Sequence, residues 1–247
     1  MARLGVRCRR ANKPHFVRSL VERAAAAQCS ALVVTLDLPV VGQRHRDIRN
    51  GMGMPPKPRF KTMLDIAIRP AWALGIARGK RCTLGNLAGQ IRGADNLESL
   101  SQWIGTQFNA PLSWKDIEWL AGLWPGKLIL KGILDAAALV VSNHGGRQLD
   151  GAPSSIWLLP TIADVVGSSI EILFDGGIRS GQDIMRAVAL GARACLSGRA
   201  YIYGLGAGGQ AGVTRAIEIL RNELDVSMAL TGVTTIADID RRAIAGI

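Results

Sequence analysis

Apolar residues fall along the chain in short continuous runs that are separated by stretches with helical spacing. The positions Phe16, Leu20, Val21 and Ala24 share one helical face. Spacing of this kind predicts helices over 16–27, 114–123, 183–190 and 212–224. The continuous runs predict buried strands over 31–35, 128–133, 137–142, 171–174 and 194–197. Strands that alternate with helices in this order predict consecutive βα units and therefore an α/β fold with a parallel sheet.

Chemically reactive side chains cluster where one apolar run stops, in the sequence SNHGGRQLDG at 142–151. Ligands bind at the carboxyl ends of the strands in parallel α/β folds. An imidazole such as that of His144 exchanges protons near neutral pH, and a guanidinium such as that of Arg147 can hold a carboxylate through two hydrogen bonds. A capped loop with a surface arginine remains an alternative at this point.

Glycine-rich turns follow the next two predicted strands. One reads DGGIRSG at 175–181, and the other begins at Gly198 and Arg199. Free backbone N–H groups in such turns, together with Arg179 and Arg199, predict a phosphate cradle. Phosphate sites after the last two strands recur in (β/α)₈ barrels. Solvated arginines at helix ends are the alternative interpretation.

These motifs resemble the FMN-dependent α-hydroxy-acid dehydrogenase and oxidase family, most closely its L-lactate dehydrogenases. Two further stretches carry the resemblance: TLDLP at 35–39 with Gly42-Gln43-Arg44, and KGILD at 131–135. It extends from about Phe16 to the C-terminus. The resemblance implies one FMN-binding domain over 1–247, a partial (β/α)₈ TIM barrel that lacks the first strands and one crossover helix. A basic loop excursion at about 44–110 would interrupt it.

The resemblance also implies a role for each motif residue. His144 would be the catalytic base, Asp37 would stabilise the imidazolium, and Arg44 and Arg147 would hold the substrate carboxylate. The residues expected at FMN are Thr35 and Ser142 at the isoalloxazine, Lys131 at its pyrimidine edge, Asp175 at the ribityl chain, and Gly177, Arg179, Gly198 and Arg199 at the phosphate. The implied reaction is oxidation of an L-2-hydroxy acid, foremost L-lactate to pyruvate. A quinone or a cytochrome would take the electrons, and oxygen stays open as an acceptor.

Two departures from the family pattern bear on activity. The family has an entry helix and barrel strands before the helix at Phe16, and its Gln and Tyr there align with Arg3 and Gly5, so we expect a truncated copy. Only residues 134–136 separate the strands predicted at 128–133 and 137–142. Parallel neighbours need a crossover of roughly a dozen residues, so we expect these strands to be fused, antiparallel or distorted. A non-catalytic remnant that binds FMN or another phosphate-bearing ligand, or that associates with a homologous partner, is therefore the alternative function.

The net charge of +11 is concentrated in one part of the chain. Residues 44–81 contain ten Lys and Arg against Asp47 and Asp65, with Phe60, Met63 and Trp72 among them. Such a segment is typical of contact with an anionic membrane surface and a quinone pool, or of a solvated face that attracts an anionic substrate. A basic surface-binding module is a third interpretation, resting on charge alone. Nucleic-acid binding is not indicated, because no helix-turn-helix, zinc or aromatic-platform signature accompanies the charge.

The remaining features concern location and assembly. The cysteines, Cys8, Cys29, Cys82 and Cys195, have no metal or redox spacing, and His15 and His45 have no metal-ligand spacing, so we expect reduced thiols and no metal site. No apolar run reaches the roughly 18 residues of a membrane span. We therefore expect a cytoplasmic protein, with peripheral attachment to the inner face of the cell membrane and a homo-oligomer left open. An incomplete barrel would have an open edge, which is a predicted pairing site.

Overall fold

The computed structural model describes residues 6–8, 14–36, 45–51, 60–79, 113–133, 140–149 and 151–244. The chain divides into two compact units, one of residues 1–32 and 38–128, the other of residues 33–37 and 129–247. The boundary passes through two of the strands. One domain over 1–247 stays a prediction. Asp37 and Arg44 lie outside the described residues.

The helices and strands follow one another in the predicted alternation. The strands are β1 (Val6–Cys8), β2 (Ala31–Thr35), β3 (Lys127–Ile133), β4 (Val140–Ser142), β5 (Leu173–Asp175) and β6 (Ala194–Leu196). The helices are α1 (Pro14–Ala26), α2 (His45–Arg49), α3 (Phe60–Ala67), α4 (Pro70–Arg78), α5 (Trp114–Leu123), α6 (Ser155–Val166), α7 (Gly181–Ala189) and α8 (Arg199–Leu230). Short 3₁₀ turns lie at His144–Gly146, Ile236–Asp238 and Arg241–Ala243.

The first unit contains α1, which packs beside β1. Val17, Val21 and Ala24 are its buried residues, so the buried face is turned slightly from the predicted one and leaves Phe16 half-buried. Pro14 opens this helix, at a position where its missing N–H costs nothing. The prediction of α5 over 114–123 is confirmed, and Ser113 with Asp116 forms its capping box.

The second unit is built on a parallel sheet, which confirms the predicted α/β class. The sheet order follows the chain, and β3–β4, β4–β5 and β5–β6 are parallel pairs. Helices α6 and α7 pack on it through apolar residues of both layers. The buried core consists of Val141, Leu159, Ile162, Ile172, Phe174, Ile178, Ala187, Leu190 and Ala192. Strand β6 ends the sheet order, and Leu196 on it is 39% exposed.

The expectation that β3 and β4 would fuse or pair antiparallel is wrong. They pair parallel, with Lys131 opposite Val140 and Ile133 opposite Val141. The overlap begins only at Lys131, two residues before the end of β3. The expected distortion is present as a register irregularity between Lys131 and Ile133. Gly132 between them has φ +93°, a conformation that glycine adopts without cost and that suits a bulge.

Helix α8 begins well before the predicted helix at 212–224 and is interrupted at Gly208 and Gly209. Its later part packs against α7. Met185, Ala189, Met228 and Ile239 form a second apolar cluster there. This packing places the first turn of α7, and with it the preceding glycine turn, against α8.

Candidate active site

Three of the predicted site residues meet at the carboxyl ends of β3, β4 and β5. Ser142 lies directly opposite Asp175 in the β4–β5 register. The Lys131 Nζ donates to Ser142 Oγ at 2.7 Å and pairs with Asp175 Oδ2. Ser142 Oγ also donates to Asp175 Oδ2 at 3.2 Å.

Because Lys131 and Ser142 are buried, the Lys131 charge depends on its partners within the cluster for stabilisation. Lys131 is 8% exposed and Ser142 is fully buried. A buried ammonium is tolerated when it is paired and hydrogen-bonded, and Asp175 together with Ser142 supplies both conditions here. The sequence predicted that Lys131 and Asp175 both serve a cofactor, but it gave no sign that they bind each other.

The turn that carries His144 is attached to the same cluster. The backbone N–H of His144 donates to Ser142 Oγ at 3.2 Å. His144, Gly145 and Gly146 all have φ between +57° and +70°. A histidine in this region is uncommon, and such conformations persist where the surroundings enforce them, often at functional sites.

Asn143 fixes the turn from its other side. Its Oδ1 accepts the Gly146 N–H at 3.2 Å, and its Nδ2 donates to the Pro153 carbonyl at 3.1 Å. The sequence analysis gave this residue no role. Asparagine is nevertheless a residue that commonly bonds backbone two or three positions on, so its place before a glycine pair is a readable turn signal.

Thr35 extends the same edge of the second unit. It is the last residue of β2 and is 2% exposed. The next backbone N–H, that of Leu36, donates to the Lys131 carbonyl at 2.7 Å. The end of β2 is therefore hydrogen-bonded to the Lys131 backbone, as the predicted grouping requires.

The predicted glycine turns differ in how their backbone N–H groups are used. The expectation of free N–H groups is wrong for the turn before α7. The Asp183 Oδ2 accepts the N–H groups of Arg179 and Ser180, each at 3.0 Å, and Glu223 Oε2 accepts that of Gly181 at 2.9 Å. These carboxylates already satisfy the start of α7 and complement its dipole.

The turn before α8 is arranged differently. Gly198 is the N-cap of α8 and makes no side-chain capping bond. Ser197 Oγ is buried without a hydrogen-bond partner among the described residues. A Cβ placed on Gly198 or on Gly177 would meet no atom of the described residues within 4 Å. An orphaned hydroxyl next to Gly198, whose lack of a side chain leaves the start of α8 without a capping side chain of its own, fits a phosphate group, whose oxygens accept hydrogen bonds.

The three described arginines that were predicted to bind substrate or phosphate are all exposed. Arg147 and Arg179 are exposed. Arg199 is also exposed, and its Nη2 lies 3.2 Å from the position that a Cβ on Gly145 would take. Arg199 therefore lies against the His144 turn as well as at the start of α8, which its predicted phosphate role did not include.

Sequence reasoning missed Asp183 and Glu223 as supports of the α7 turn. Asp183 follows Ser180 by three positions, which is the spacing of a capping box and is readable from the sequence. Glu223 comes from α8, far along the chain, and its bond to Gly181 depends on how the helices pack. No local pattern indicates it.

Cys195 on β6 is not a candidate nucleophile. Burial raises the pKa of its thiol to about 12. A thiol with such a pKa stays protonated at neutral pH, and the thiolate is the reactive form.

The chain was compared with known proteins. The sequence profile of a family described as FMN-dependent dehydrogenase matches residues 8–246. The L-lactate dehydrogenase of Caulobacter sp. (strain K31) is 43% identical over 242 residues, covering 93% of this chain and 63% of that protein. That of Actinobacillus pleuropneumoniae serotype 5b (strain L20) is 44% identical over 244 residues, covering 94% of this chain and 64% of that protein.

Solved structures give the same picture for the fold. The monotopic membrane protein (S)-mandelate dehydrogenase superposes with a TM-score of 0.87 at 33% identity, covering 96% of this chain and 65% of that one. A mandelate oxidase superposes with a TM-score of 0.71 at 32% identity, covering 97% and 62%. The chain thus spans less than two thirds of the length of these relatives.

Proposed function

This chain belongs to the family of FMN-dependent dehydrogenases, and we propose that it binds FMN and oxidises an L-2-hydroxy acid, foremost L-lactate to pyruvate. The observation that carries the proposal is the link from the buried Lys131–Ser142–Asp175 cluster to the backbone of His144. Through that link, the proposed proton acceptor His144 and the proposed compensating cation Lys131 are held by the same group of hydrogen bonds. The whole reaction is a proposal, since the chain spans only part of its relatives.

At the substrate end, the residues supply charge and a base. Oxidation of a 2-hydroxy acid to a 2-oxo acid removes two electrons and two protons. In the proposal the imidazole of His144 takes one proton from the substrate, and Arg147 holds its carboxylate as a fork. Arg44 would assist at the carboxylate, and Asp37 would stabilise the protonated imidazole.

At the cofactor end, the residues bind and orient. When bound, FMN would supply what protein side chains lack, an acceptor for the two electrons and for the second proton of the substrate. Thr35, Ser142 and Lys131 would hold its ring and Asp175 its ribityl chain. The phosphate would lie at Gly198 and Arg199 with Ser197, the position that the orphaned hydroxyl favours, and Gly177 with Arg179 would border it.

Reconstitution with FMN tests the proposal. We expect flavin absorbance to stay with the purified chain and to bleach anaerobically with L-lactate. His144→Ala should keep FMN and lose bleaching, because only the base is removed. His15→Ala, on exposed α1 surface, is the matched control and should bleach normally.

Each alternative has its own outcome in that experiment. If the chain binds FMN but no 2-hydroxy acid bleaches it, the chain is a non-catalytic remnant and not an enzyme. Absence of bound flavin would refute cofactor binding. Turnover retained by His144→Ala would refute the base assignment.

The preferred substrate and the preferred electron acceptor are each identified by comparing reaction rates with different reagents. We propose L-lactate over (S)-mandelate, because the relatives named L-lactate dehydrogenase share more identity with this chain than the mandelate enzymes do. The rate of bleaching with each acid measures that preference. Reoxidation by a quinone or cytochrome faster than by oxygen would support a dehydrogenase, and the reverse order would support an oxidase.

We also propose that the chain associates peripherally with an anionic bilayer through α3 and the turn that follows it in its first unit. Phe60, Leu64 and Ile68 share one helical face, and Phe60 and Ile68 are 79% and 70% exposed. Lys61 and Arg69 stand beside them. Apolar side chains flanked by cations are typical of helices that lie in a membrane interface.

The described helices include none with the length and apolar content that crossing a bilayer requires. Cytoplasmic location with attachment at the inner membrane face, and a homo-oligomer, stay predictions that fractionation and sedimentation would test.

Vesicle sedimentation tests the membrane proposal. Vesicles with phosphatidylglycerol should sediment the chain, vesicles of phosphatidylcholine alone should not, and salt should weaken binding. The double change Phe60→Ser with Ile68→Ser should reduce binding, while Trp157→Ser, a comparably exposed residue on α6, should not. Equal effects of the two changes would refute α3 as the docking helix.

A further inference from the structure

Arg199 connects the start of α8 to the turn that carries His144. It is the first residue of the helix, immediately after Gly198. Its guanidinium lies so close to Gly145 that a Cβ there would be 3.2 Å from Nη2 and 3.9 Å from Cζ. By contrast, a Cβ on Gly146 would meet nothing within 4 Å. The contact is therefore specific to one residue of the turn.

The turn needs support on this side. Ser142 and Asn143 hold its two ends through the His144 and Gly146 N–H groups. Its middle residue, Gly145, is exposed and has φ +67°. The Arg199 guanidinium lies beside that middle residue.

An anion at the start of α8 would fix the position of Arg199. The side chain is exposed, so burial alone does not hold it. Five N–H donors in a planar fork allow a guanidinium to bind phosphate oxygens while another edge faces a neighbour. Ser197, whose Oγ is buried without a hydrogen-bond partner among the described residues, directly precedes Gly198 and Arg199 at the start of α8.

We propose that Arg199 is a positioning residue that couples phosphate binding at the start of α8 to the conformation of the His144 turn. Phosphate would hold the guanidinium against Gly145 and thereby restrict the turn. Coupling of this kind is reciprocal, so a change in the turn must alter phosphate binding equally. The inference rests on the proposed FMN site but concerns the turn rather than the redox step.

Flavin pairs measure the phosphate contribution directly. FMN carries a phosphate and riboflavin lacks it. The Kd of riboflavin divided by the Kd of FMN is therefore a ratio that measures how much the phosphate contributes to binding. Arg199→Ala should lower the ratio by about tenfold or more, and Arg199→Lys should recover part of it. Gly145→Ala should lower the ratio because the new Cβ displaces the guanidinium. Gly146→Ala imposes similar backbone strain in open space and should leave it unchanged.

A second measurement follows the turn without any flavin. The chain has three histidines, so the imidazole signals of a ¹³C-histidine sample can be assigned with His144→Ala. Inorganic phosphate should shift the His144 signal saturably in the wild type and in Arg193→Ala, a distant exposed arginine, but not in Arg199→Ala.

These results separate the inference from the proposed function. Equal ratios for Gly145→Ala and Gly146→Ala, or a phosphate-induced His144 shift that survives Arg199→Ala, would overturn the coupling while FMN binding stands. A chain that binds neither flavin refutes the proposed function, and a His144 signal indifferent to phosphate then overturns the coupling as well.

Discussion

Replacement of Gly181 by alanine should be among the most destabilising single-methyl additions in the second unit. Gly181 is the buried first residue of α7, where α8 crosses it. A Cβ there would lie 2.0 Å from the Leu224 N and 2.3 Å from the Glu223 carbonyl carbon. Both are backbone atoms and cannot rotate away. The helices must therefore separate.

The magnitude follows from what separation loses. Overpacking a core costs about 1–3 kcal/mol. Moving α8 also breaks the 2.9 Å bond from the Gly181 N–H to Glu223 Oε2, which is worth about 0.5–1.5 kcal/mol. We expect the free energy of unfolding to fall by about 2–4 kcal/mol in all.

Urea unfolding followed by circular dichroism at 222 nm measures this loss. Gly122→Ala in α5 is the matched control, because its Cβ would meet nothing within 4 Å. It should stabilise by up to about 1 kcal/mol through helix propensity. Glu223→Ala removes only the hydrogen bond and should cost the smaller share. If Gly181→Ala lowered the free energy of unfolding no more than Glu223→Ala does, the close approach of α7 and α8 would not be the cause of the destabilisation.

Three further predictions concern the site and its edge. Lys131→Met should lower the free energy of unfolding by about 1–3 kcal/mol, because Asp175 loses its cation; adding Asp175→Asn should recover much of the loss, and urea unfolding of both variants checks it. Ser197→Ala should not destabilise the flavin-free chain, since its hydroxyl has no partner among the residues that the structure describes, yet should weaken FMN binding by about threefold to tenfold in fluorescence titration. Cys195, whose burial raises the thiol pKa to about 12, should react with iodoacetamide at pH 8 about a hundredfold more slowly than in urea, as followed by peptide mass spectrometry; equal rates would contradict the burial argument.

The sequence predicted helices and strands correctly where a local pattern of apolar residues determines them. Strand β2 and helix α5 have the predicted bounds, because an apolar run or an amphipathic stretch with a cap determines each. Helix α8 was predicted short because its early glycines indicate a loop. The structure instead bends the helix at Gly208 and Gly209, so that Gly204 and Gly212 approach through their backbones. That contact depends on packing, which local sequence does not report.

The sequence predicted which residues lie at the site better than it predicted which of their atoms bind each other. The rule that parallel strands present their carboxyl ends together places Ser142 and Asp175 on one edge. It says nothing of which atoms bind, so the Lys131–Asp175 pair and the Arg199–Gly145 contact were not anticipated. The glycine turn before α7 also departs from the expectation of free N–H groups. The N–H groups of Arg179, Ser180 and Gly181 donate to the carboxylates of Asp183 and Glu223.

The irregularity at Gly132 lies beyond Lys131 and therefore leaves the cluster undisturbed. Lys131 pairs with Val140, and the alternation of side chains places Val140 and Ser142 on the same face of β4. Lys131 Nζ therefore reaches Ser142 Oγ at 2.7 Å from the regular part of the pairing. Two steps along β3, from Lys131 to Ile133, match one step along β4, so the extra residue at Gly132 changes the facing of Ile133 instead. The cluster tolerates the distortion between β3 and β4 because the distortion falls after the last residue of β3 that the cluster uses.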